Sequence, residues 1–211
     1  MYIDIVNYTK IIKKRTVLAD VSLNFERGKI YGFRGANGSG KTMLLRAISG
    51  LITPTFGEIR IDGEILGNDI SFPRSIGVLI ESPAFLASYT GLRNLELIAE
   101  IKGDATKEDL EKSLCLVGLE VGDRRTYGKY SLGMKQKLGI AAAIMEKPDI
   151  LVLDEPFNAL DEESVLQIQN LIIDEKERGA TVFLACHDAQ ILDSIVDETI
   201  IVENGMARRA Q

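Results

Sequence analysis

Several residue types are scarce in this chain of 211 residues, and each scarcity excludes a class of protein. Its two cysteines, Cys115 and Cys186, are too few for a disulfide framework and are typical of a reduced, intracellular protein. No apolar run reaches the ~18 residues of a membrane-spanning helix, and the amino terminus lacks the apolar core of a signal peptide. We therefore expect a soluble chain, which would need another chain to hold it at a membrane.

Positive charge is also in the minority. The 25 lysines and arginines are outnumbered by 31 acidic residues, and the formal net charge is −6. A protein that coats nucleic acid is expected to be basic, so this balance argues against that class. Hydrophobic residues make up 45% of the chain and charged residues 27%, an ordinary composition that can bury a core in one domain or in a compact two-lobed one.

Histidine occurs once, at His187, in the segment FLACHDAQI. A lone histidine is more often a packed or a surface residue than a catalytic one. The segment alone therefore assigns no role to His187, and its role depends on the motifs elsewhere in the chain.

The chain does contain an alternation of strand and helix patterns. Alternating or mostly apolar segments predict strands at 17–25, 29–35, 57–63 (with an edge-strand pattern), 75–80, 149–156, 180–187 and 198–205. Between about 90 and 146 the apolar spacing becomes helical. We expect an α/β fold with a mainly parallel sheet, an antiparallel N-terminal β portion and an inserted helical subdomain. The expected division is 1–80 and 148–211 for the core, and 81–147 for the helical insertion.

The segment GANGSGKT, residues 35–42, fits the phosphate-loop pattern G-x-x-x-x-G-K-[ST]. It follows a predicted buried strand and opens a predicted helix, so its glycines let backbone N–H groups and the helix N-terminus point at phosphate. Lys41 can reach the β- and γ-phosphates, and the Thr42 hydroxyl can ligate Mg²⁺. The predicted nucleotide-binding residues are Gly35, Asn37, Gly38, Ser39, Gly40, Lys41 and Thr42. The alternative is a glycine-rich turn that matches by chance, and the loop does not distinguish ATP from GTP.

The segment ILVLDEP, residues 150–156, ends a predicted buried strand with two acids. Asp154 can hold Mg²⁺, directly or through water. Glu155 then faces the place where water would attack the γ-phosphate, as a general base or a water orienter. The alternative is a turn at a sheet edge, which the four preceding apolar residues and the phosphate loop disfavour.

These segments resemble those of a known family, the ATP-binding cassettes of ABC transporters. GANGSGKT resembles the Walker A loop and ILVLDEP resembles Walker B. YSLGMKQK (130–137), NALD (158–161) and CHD (186–188) resemble the signature, the D-loop and the H-loop, and all five motifs stand in the family's order. The resemblance covers almost the whole chain. It implies a P-loop NTPase core, ATP and Mg²⁺ as ligands, and ATP hydrolysis that powers transport.

The resemblance gives His187 a role. In a doubly wound core the carboxyl ends of the strands gather around the ligand, and His187 follows the strand after Walker B. Its imidazole can donate a hydrogen bond to a γ-phosphate oxygen, sense that phosphate and help to hold the attacking water. The expected catalytic residues are therefore Lys41, Glu155 and His187.

The signature adds a second nucleotide contact. Ser131 can cap the helix that begins there, and its hydroxyl, the Gly133 N–H and the helix end together form an anion site. The resemblance implies that this site meets the γ-phosphate held by a second cassette in a head-to-tail dimer, with Asp161 at the same interface. A plain capped helix would explain Ser131, but not its position just before Walker B.

The resemblance also implies a membrane partner. A cytoplasmic helix of an integral membrane permease subunit would enter a groove of the helical lobe. Phe85 and Leu86 are candidates for that groove, with local core as the alternative. The cassette would then be cytoplasmic and peripheral on the inner face of the cell membrane, and no nucleic-acid partner is expected.

The chain departs from the family's pattern at several positions. Glu81 stands where glutamine is usual, so it offers oxygens to Mg²⁺ but no amide donors. The surrounding IGVLIESPAF resembles small cassettes of antimicrobial-peptide or lantibiotic export and immunity. Leu132 and Met134 replace the usual glycine and glutamine of the signature. Ile12 stands where an aromatic ring often stacks on adenine, with Tyr8 nearby, and loss of stacking would loosen the discrimination between ATP and GTP.

Two other classes of function compete with transport. An ABC-type ATPase that acts on nucleic acid or ribosomes is opposed by the acidic balance and the single cassette. A nucleotide-binding regulatory module with little turnover is opposed by the intact Lys41, Asp154, Glu155 and His187.

Overall fold

The computed structural model describes residues 1–103 and 105–210. Its strands are β1 (Ile3–Ile12), β2 (Arg15–Phe25), β3 (Ile30–Arg34), β4 (Phe56–Ile61), β5 (Glu64–Ile65), β6 (Ile76–Leu79), β7 (Ile150–Asp154), β8 (Thr181–Ala185), β9 (Glu198–Glu203) and β10 (Met206–Arg209). Its α-helices are α1 (Lys41–Ile48), α2 (Gly91–Lys102), α3 (Lys107–Leu116), α4 (Leu132–Ile144), α5 (Glu162–Glu177) and α6 (Ala189–Asp193), and a 3₁₀ helix spans Tyr127–Lys129.

A six-stranded sheet forms the centre of the molecule, in the order β10-β9-β3-β8-β7-β6. Four neighbouring pairs are parallel, and β10 runs antiparallel to β9. Every residue of β7 and β8 is buried, because both faces of the sheet are covered. The mainly parallel α/β core predicted from the sequence is confirmed.

Two apolar cores lie on the two faces of this sheet. In β7, Ile150 and Val152 belong to one core, while Leu151 and Leu153 belong to the other, as the two-residue period of a strand requires. The first core is completed by α1 and the N-terminal strands. The second core is completed by α2 to α6.

The N-terminal β portion is a four-stranded antiparallel sheet in the order β2-β1-β4-β5, as predicted. Aromatic rings join it to the central sheet, since the Phe25 ring centroid lies 4.7 Å from that of Tyr31 and 5.0 Å from that of Phe183. The edge-strand prediction for 57–63 is wrong, because β4 lies between β1 and β5. Alternation reports that one side of a strand faces solvent, and it does not report the strand's place in the sheet.

Three helices, α2, α3 and α4, lie between β6 and β7 in the chain. Side chains cap all three: Thr90 and Ser131 each accept a backbone hydrogen bond from the first turn of their helix, and Thr106 forms a capping box with Asp109. A Cβ placed on Gly77 of β6 would collide with the carbonyl group of Ala143, so α4 packs directly against the β6 backbone.

The parallel strands bring the sequence motifs to one edge of the sheet. β3 runs into the phosphate loop, β7 ends at Asp154, and β8 ends at Ala185, just before His187. Because parallel strands present their carboxyl ends together, three motifs that are far apart in the chain become neighbours. Within the part of the chain that the structure describes, no helix has the length and apolar character needed to cross a membrane.

Candidate functional site

The phosphate loop joins the end of β3 to Lys41, the first residue of α1. Gly38 and Gly40 have φ angles of 79° and 116°, which residues with a side chain rarely adopt. The Ser39 backbone is held at both ends, since its N–H donates to the Ala36 carbonyl at 3.1 Å and its carbonyl accepts from the Gly205 N–H at 2.8 Å. The predicted order of strand, loop and helix is present, and the N-terminal N–H groups of α1 end at the loop.

Lys41 is the buried cation of this loop, with 6% of its surface exposed. Its Nζ donates to the carbonyl oxygens of Gly35 and Ala36, at 2.7 Å and 3.3 Å. The ammonium group therefore lies inside the curl of the loop, where phosphate oxygens can replace these carbonyls as acceptors. The Ser39 hydroxyl is buried without a partner among the described residues.

Thr42 and Asp154 meet at the edge of the sheet, where the Thr42 hydroxyl donates to Asp154 Oδ2 at 2.7 Å. Burial raises the pKa of Asp154, the Thr42 hydrogen bond opposes this rise, and the Glu155 charge adds to it. A buried carboxylate of this kind is stabilised by a cation, and hydroxyl and carboxylate oxygens are ligands that Mg²⁺ accepts. The pair therefore fits Mg²⁺.

The described residues contain no group of three or more His, Cys, Asp or Glu side chains that could hold a metal. Mg²⁺ in nucleotide sites is usually held by one or two protein oxygens together with waters and substrate phosphates. The Thr42–Asp154 pair therefore fits a metal ion that arrives with a nucleotide, rather than one held by the protein alone.

Glu155 and His187 form a second pair along the same edge. His187 Nδ1 lies 2.7 Å from Glu155 Oε2, and the His187 backbone N–H donates to the same oxygen at 3.2 Å. Glu155 has a φ of 52°, a conformation that is uncommon outside glycine and that clusters at functional sites. Its carbonyl accepts from Gln136 Nε2 at 3.0 Å, so the signature helix α4 helps to position the acid. The motifs predicted both acid and histidine, but not this contact or Gln136.

The phosphate loop, the Thr42–Asp154 pair and Glu155 open onto one pocket of about 860 Å³. Its lining does not include the predicted site residues Gly35, Ser39, Ser131, Gly133, Asp161 and His187. Of the predicted site residues, its walls contain Asn37, Gly38, Gly40, Lys41, Thr42, Glu81, Asp154 and Glu155. Residues that were not predicted also line it, among them Arg15, Thr16, Val17, Gln136, Asn204 and Gly205. They come from the start of β2, the signature helix and the β9–β10 turn, where no local motif marks them.

Glu81, the third predicted metal ligand, lies in the pocket wall but is paired with an arginine. Its Oε1 accepts from Arg46 Nη2 at 2.7 Å, and no hydrogen bond joins its side chain to Thr42 or Asp154. The Glu81 side chain is 63% exposed and its φ is 61°. Arg46 lies on α1, after the phosphate loop, and no local motif in the sequence marks it as a partner of Glu81.

The signature residues lie beside the D-loop. Ser131 caps α4, as predicted, and accepts from the Met134 N–H at 3.2 Å. A Cβ on Gly133 would lie 2.7 Å from the Ala159 carbonyl oxygen, so glycine allows the two segments to meet. Asp161 caps α5 by accepting from the Ser164 N–H at 2.9 Å, and these hydrogen bonds lower the pKa of its carboxyl. Leu132 is 69% exposed beside the capped end.

A second groove, of about 400 Å³, lies between β6 and α4. Phe85 lines it, and the Phe85 ring packs edge-on against Tyr127 with 5.3 Å between centroids. Leu86 is 53% exposed and is not part of the groove wall. Of the two candidates for a partner groove, the structure brings only Phe85 into one.

Neither residue considered for the nucleobase lines the large pocket. Tyr8 is fully buried, and its hydroxyl donates to the Ile52 carbonyl at 3.0 Å, so its ring cannot reach a base. Ile12 ends β1 and pairs with Arg15, and of these two it is Arg15 that lines the pocket.

Comparison with known proteins agrees with this geometry. A family model described as ABC transporter matches residues 18–158. The chain belongs to the ABC transporter family. It is an ATP-binding and ATP-hydrolysing cassette of that family, which confirms the prediction made from the five motifs.

Three relatives show where in the family the cassette lies. The ABC transporter ATP-binding protein YybJ of Bacillus subtilis is 49% identical, over 96% of this chain and 93% of its own. The bacitracin transport ATP-binding protein BcrA of Enterococcus faecalis is 38% identical over 94% of this chain, which spans only 65% of that relative. The lantibiotic transport ATP-binding protein SrtF of Streptococcus pyogenes is 33% identical over 90% of this chain and 82% of its own. The predicted resemblance to antimicrobial-peptide and lantibiotic cassettes is confirmed.

The fold also matches solved cassettes. A dimeric ATP-binding cassette in a post-hydrolysis state, bound to ADP and phosphate, has a TM-score of 0.88 against this chain at 25% identity. The match covers 99% of this chain and 98% of that one. The P-loop NTPase core predicted from the sequence is therefore the observed fold.

Proposed function

We propose that the large pocket binds ATP with Mg²⁺, that Glu155 and His187 promote hydrolysis there, and that the energy is passed to a membrane permease subunit. The observation that carries the proposal is the row of three contacts at one sheet edge. Each contact measures 2.7 Å. They join Lys41 Nζ to the Gly35 carbonyl oxygen, the Thr42 hydroxyl to Asp154 Oδ2, and His187 Nδ1 to Glu155 Oε2.

Substrate binding uses side chains that, without a ligand, form hydrogen bonds with other groups of the same chain. The Lys41 ammonium exchanges loop carbonyls for β- and γ-phosphate oxygens, and the N-terminus of α1 adds its N–H groups. Thr42 and Asp154 would hold Mg²⁺, which when bound neutralises charge that develops on the phosphates. The metal also relieves the cost of the buried Asp154 carboxylate.

Hydrolysis breaks the bond between the γ-phosphorus and the bridging oxygen of ADP, and water supplies the new oxygen. Glu155 accepts a proton from this water or orients it, which is the role its position at the end of β7 permits. With Glu155 ionised, His187 Nδ1 is the donor in their contact. The opposite nitrogen, Nε2, can then donate to a γ-phosphate oxygen only when the ring carries both protons, or after the ring has turned away from Glu155.

A second copy of the cassette completes the site in this proposal. Ser131 and Gly133 stand at the N-terminus of α4, which suits an anion supplied from outside the chain, and Leu132 beside them is exposed. Asp161 caps α5, next to the D-loop segment that Gly133 contacts. The solved relative bound to ADP and phosphate is dimeric, which supports a dimer here, and we propose that its two copies pack head to tail.

The membrane partner is proposed to dock at the groove lined by Phe85. Strand β6 and helices α2 and α4 line this groove, so movement of segment 81–147 against the core at 1–80 and 148–211 would be passed to the permease. The named relatives are bacitracin and lantibiotic transport proteins, and we take peptide antibiotics as the class of cargo. The cassette would work at the inner face of the cell membrane, without a nucleic-acid partner.

The first test compares ATP hydrolysis by the wild type with that of Glu155→Gln, which keeps size and hydrogen bonding but removes the base. We expect the turnover rate to fall by about 100-fold or more while ATP affinity stays within about threefold. Glu177→Gln is the matched control. It removes the same negative charge from an exposed residue outside the pocket lining and should hydrolyse ATP normally. Unchanged turnover in Glu155→Gln would remove the acid from its catalytic role.

The second test captures tagged cassette from detergent-solubilised native membranes and identifies its companions by mass spectrometry. A multi-spanning membrane protein in stoichiometric amount supports the transporter assignment of this chain. A second sample carries Phe85→Asp, which places a charge in the groove and should release that protein without affecting ATP binding. Recovery of ribosomal or nucleic-acid-bound proteins instead would favour the non-transport ATPase class.

A further inference from the structure

One part of the wall of the large pocket is formed by Arg15, Thr16 and Val17 of β2 and by Asn204 and Gly205 of the β9–β10 turn. Gly205 in this turn is tied to both neighbours. Its N–H donates to the Ser39 carbonyl at 2.8 Å, and its carbonyl accepts from the Ala19 N–H at 2.9 Å. The phosphate loop and the start of β2 are therefore fixed relative to each other.

The wall places Arg15 beyond the phosphates. The Val17 carbonyl oxygen lies 3.3 Å from the position of a Cβ on Gly40, so Val17 stands beside the phosphate loop. Two residues of extended strand separate Val17 from Arg15, which is about 7 Å. This span suits the sugar of a nucleotide whose phosphates lie on the loop, and it brings the nucleobase to Arg15.

The backbone of Arg15 is fixed by strand pairing, whereas its side chain has no hydrogen-bond or ion-pair partner among the described residues. It closes a tight turn with Ile12, in which Lys13 and Lys14 have φ angles of 48° and 68°. Its side chain is exposed and makes no hydrogen bond or ion pair with another described residue. None of the described residues that line the pocket is aromatic, so Arg15 offers the broadest planar group at this end.

We infer that Arg15 contacts the nucleobase and stacks its guanidinium plane on the face of the purine. The inference rests on the proposed function, because it requires a nucleotide whose phosphates occupy the loop. A guanidinium is planar, always charged and weakly hydrated, and it stacks well on π-systems. Lys41 and the helix N-terminus already serve the phosphates, so the Arg15 cation is available to the base.

Base selectivity follows from this mode of binding. Stacking uses the face of the ring, which adenine and guanine share, and not the edge that distinguishes them. We expect ADP and GDP to bind this cassette with dissociation constants within about threefold of each other. Recognition of the guanine edge by Arg15 would instead give a preference for GDP.

The experiment titrates the purified full chain with ADP, GDP and inorganic pyrophosphate in the presence of Mg²⁺ and measures each affinity by calorimetry. Pyrophosphate tests the phosphate site without a base. In Arg15→Ala we expect the affinities for ADP and GDP to fall together by about threefold to tenfold, with pyrophosphate unchanged. Arg15→Tyr, which keeps a stacking plane without the charge, should recover most of the loss. Lys14→Ala, an exposed neighbour outside the pocket wall, is the matched control.

Three results would overturn the inference. Equal losses for ADP and pyrophosphate in Arg15→Ala would place the cation on the phosphates. No loss for any probe would leave Arg15 without a role in binding. A wild-type preference for GDP above about tenfold that Arg15→Ala removes would indicate edge recognition in place of stacking. If the wild type itself binds neither pyrophosphate nor ADP, the proposed function fails and the inference fails with it. This outcome is measured on the wild type, so it is distinct from a failure of the inference alone, which is measured on the Arg15 variants.

Discussion

The phosphate end and the outer rim of the pocket are built differently. At the phosphate end, Lys41 and Asp154 are each 6% exposed and are held by contacts to backbone and to Thr42. At the rim, the side chains of Glu81, in the pocket wall, and of His187, beside Glu155 but outside the lining, are 63% and 67% exposed, and their partners are single side chains. Buried groups at strand ends are fixed by the fold, whereas rim groups can change partner when a nucleotide arrives.

This difference predicts how each end responds to substitution. A change at the phosphate end removes a group for which the fold provides no replacement, so its effect should be large and present in every assay. A change at the rim removes one of several competing contacts, so its effect should be smaller and should depend on ligand or metal concentration.

The largest effect is expected from Lys41→Ala. Removal of the only ammonium inside the phosphate loop, as the structure describes it, should lower the rate of ATP hydrolysis by about 1000-fold and abolish ATP binding in the micromolar range. Calorimetry and phosphate release measure the two quantities. Lys112→Ala, an exposed lysine on α3, controls for the loss of a positive charge. Retention of tight binding by Lys41→Ala would show that the loop backbone alone holds the phosphates.

His187→Ala is expected to have the next largest effect, and it separates chemistry from binding. Its loss frees Glu155 from the 2.7 Å contact but removes the hydrogen bond that we propose to the γ-phosphate, so turnover should fall by about 100-fold. The affinity for ATP should change by less than about threefold, because the side chain lies at the rim. Gln190→Ala, exposed in the same segment, should behave as wild type. Near-normal turnover in His187→Ala would contradict the assignment.

The contrast between the two ends also explains what could be predicted from the sequence. The strands that end at Arg34, Asp154 and Ala185 lead directly into local motifs, and the parallel topology that joins them follows from the apolar runs. The contacts at the rim were missed because they join distant segments through exposed side chains. Arg15 and Arg46 stand in no motif, and only the folded chain brings them to the pocket and to Glu81.

The substitution Asp154→Asn tests the phosphate end of the pocket through the free energy of unfolding and not through the rate of hydrolysis. Burial raises the pKa of Asp154, so its ionisation destabilises the ligand-free fold, and the penalty grows as the pH rises from the ordinary aspartate pKa through the raised one. The uncharged amide should therefore increase the free energy of unfolding at neutral pH, while hydrolysis that depends on Mg²⁺ is lost.

Thermal unfolding with and without Mg²⁺ and ADP measures this effect. Without ligand, Asp154→Asn should melt above the wild type, and the difference should shrink at acidic pH, where the wild-type carboxyl is protonated. With Mg²⁺ and ADP the order should reverse, because the wild type alone gains the metal contact. A variant that melts lower than the wild type in both conditions would show that the Thr42 hydrogen bond outweighs the buried charge.

The smallest effect is expected at the rim, from separation of Glu81 and Arg46. The 2.7 Å ion pair is partly exposed, and such pairs contribute about 1 kcal/mol or less, so either single change should shift Mg²⁺ dependence only about two- to threefold. The Glu81 charge acts on Asp154, since it adds to the rise in that carboxyl's pKa. Arg46→Ala removes the cation that pairs with this charge and should lower the Mg²⁺ concentration for half-maximal hydrolysis, whereas Glu81→Gln should raise it.

Arg74→Ala is the control, since it breaks an exposed pair with Glu64 away from the pocket and should leave Mg²⁺ dependence unchanged. Shifts of the same sign in Arg46→Ala and Glu81→Gln would mean that the pair acts by positioning the loop and not by its charge at the metal.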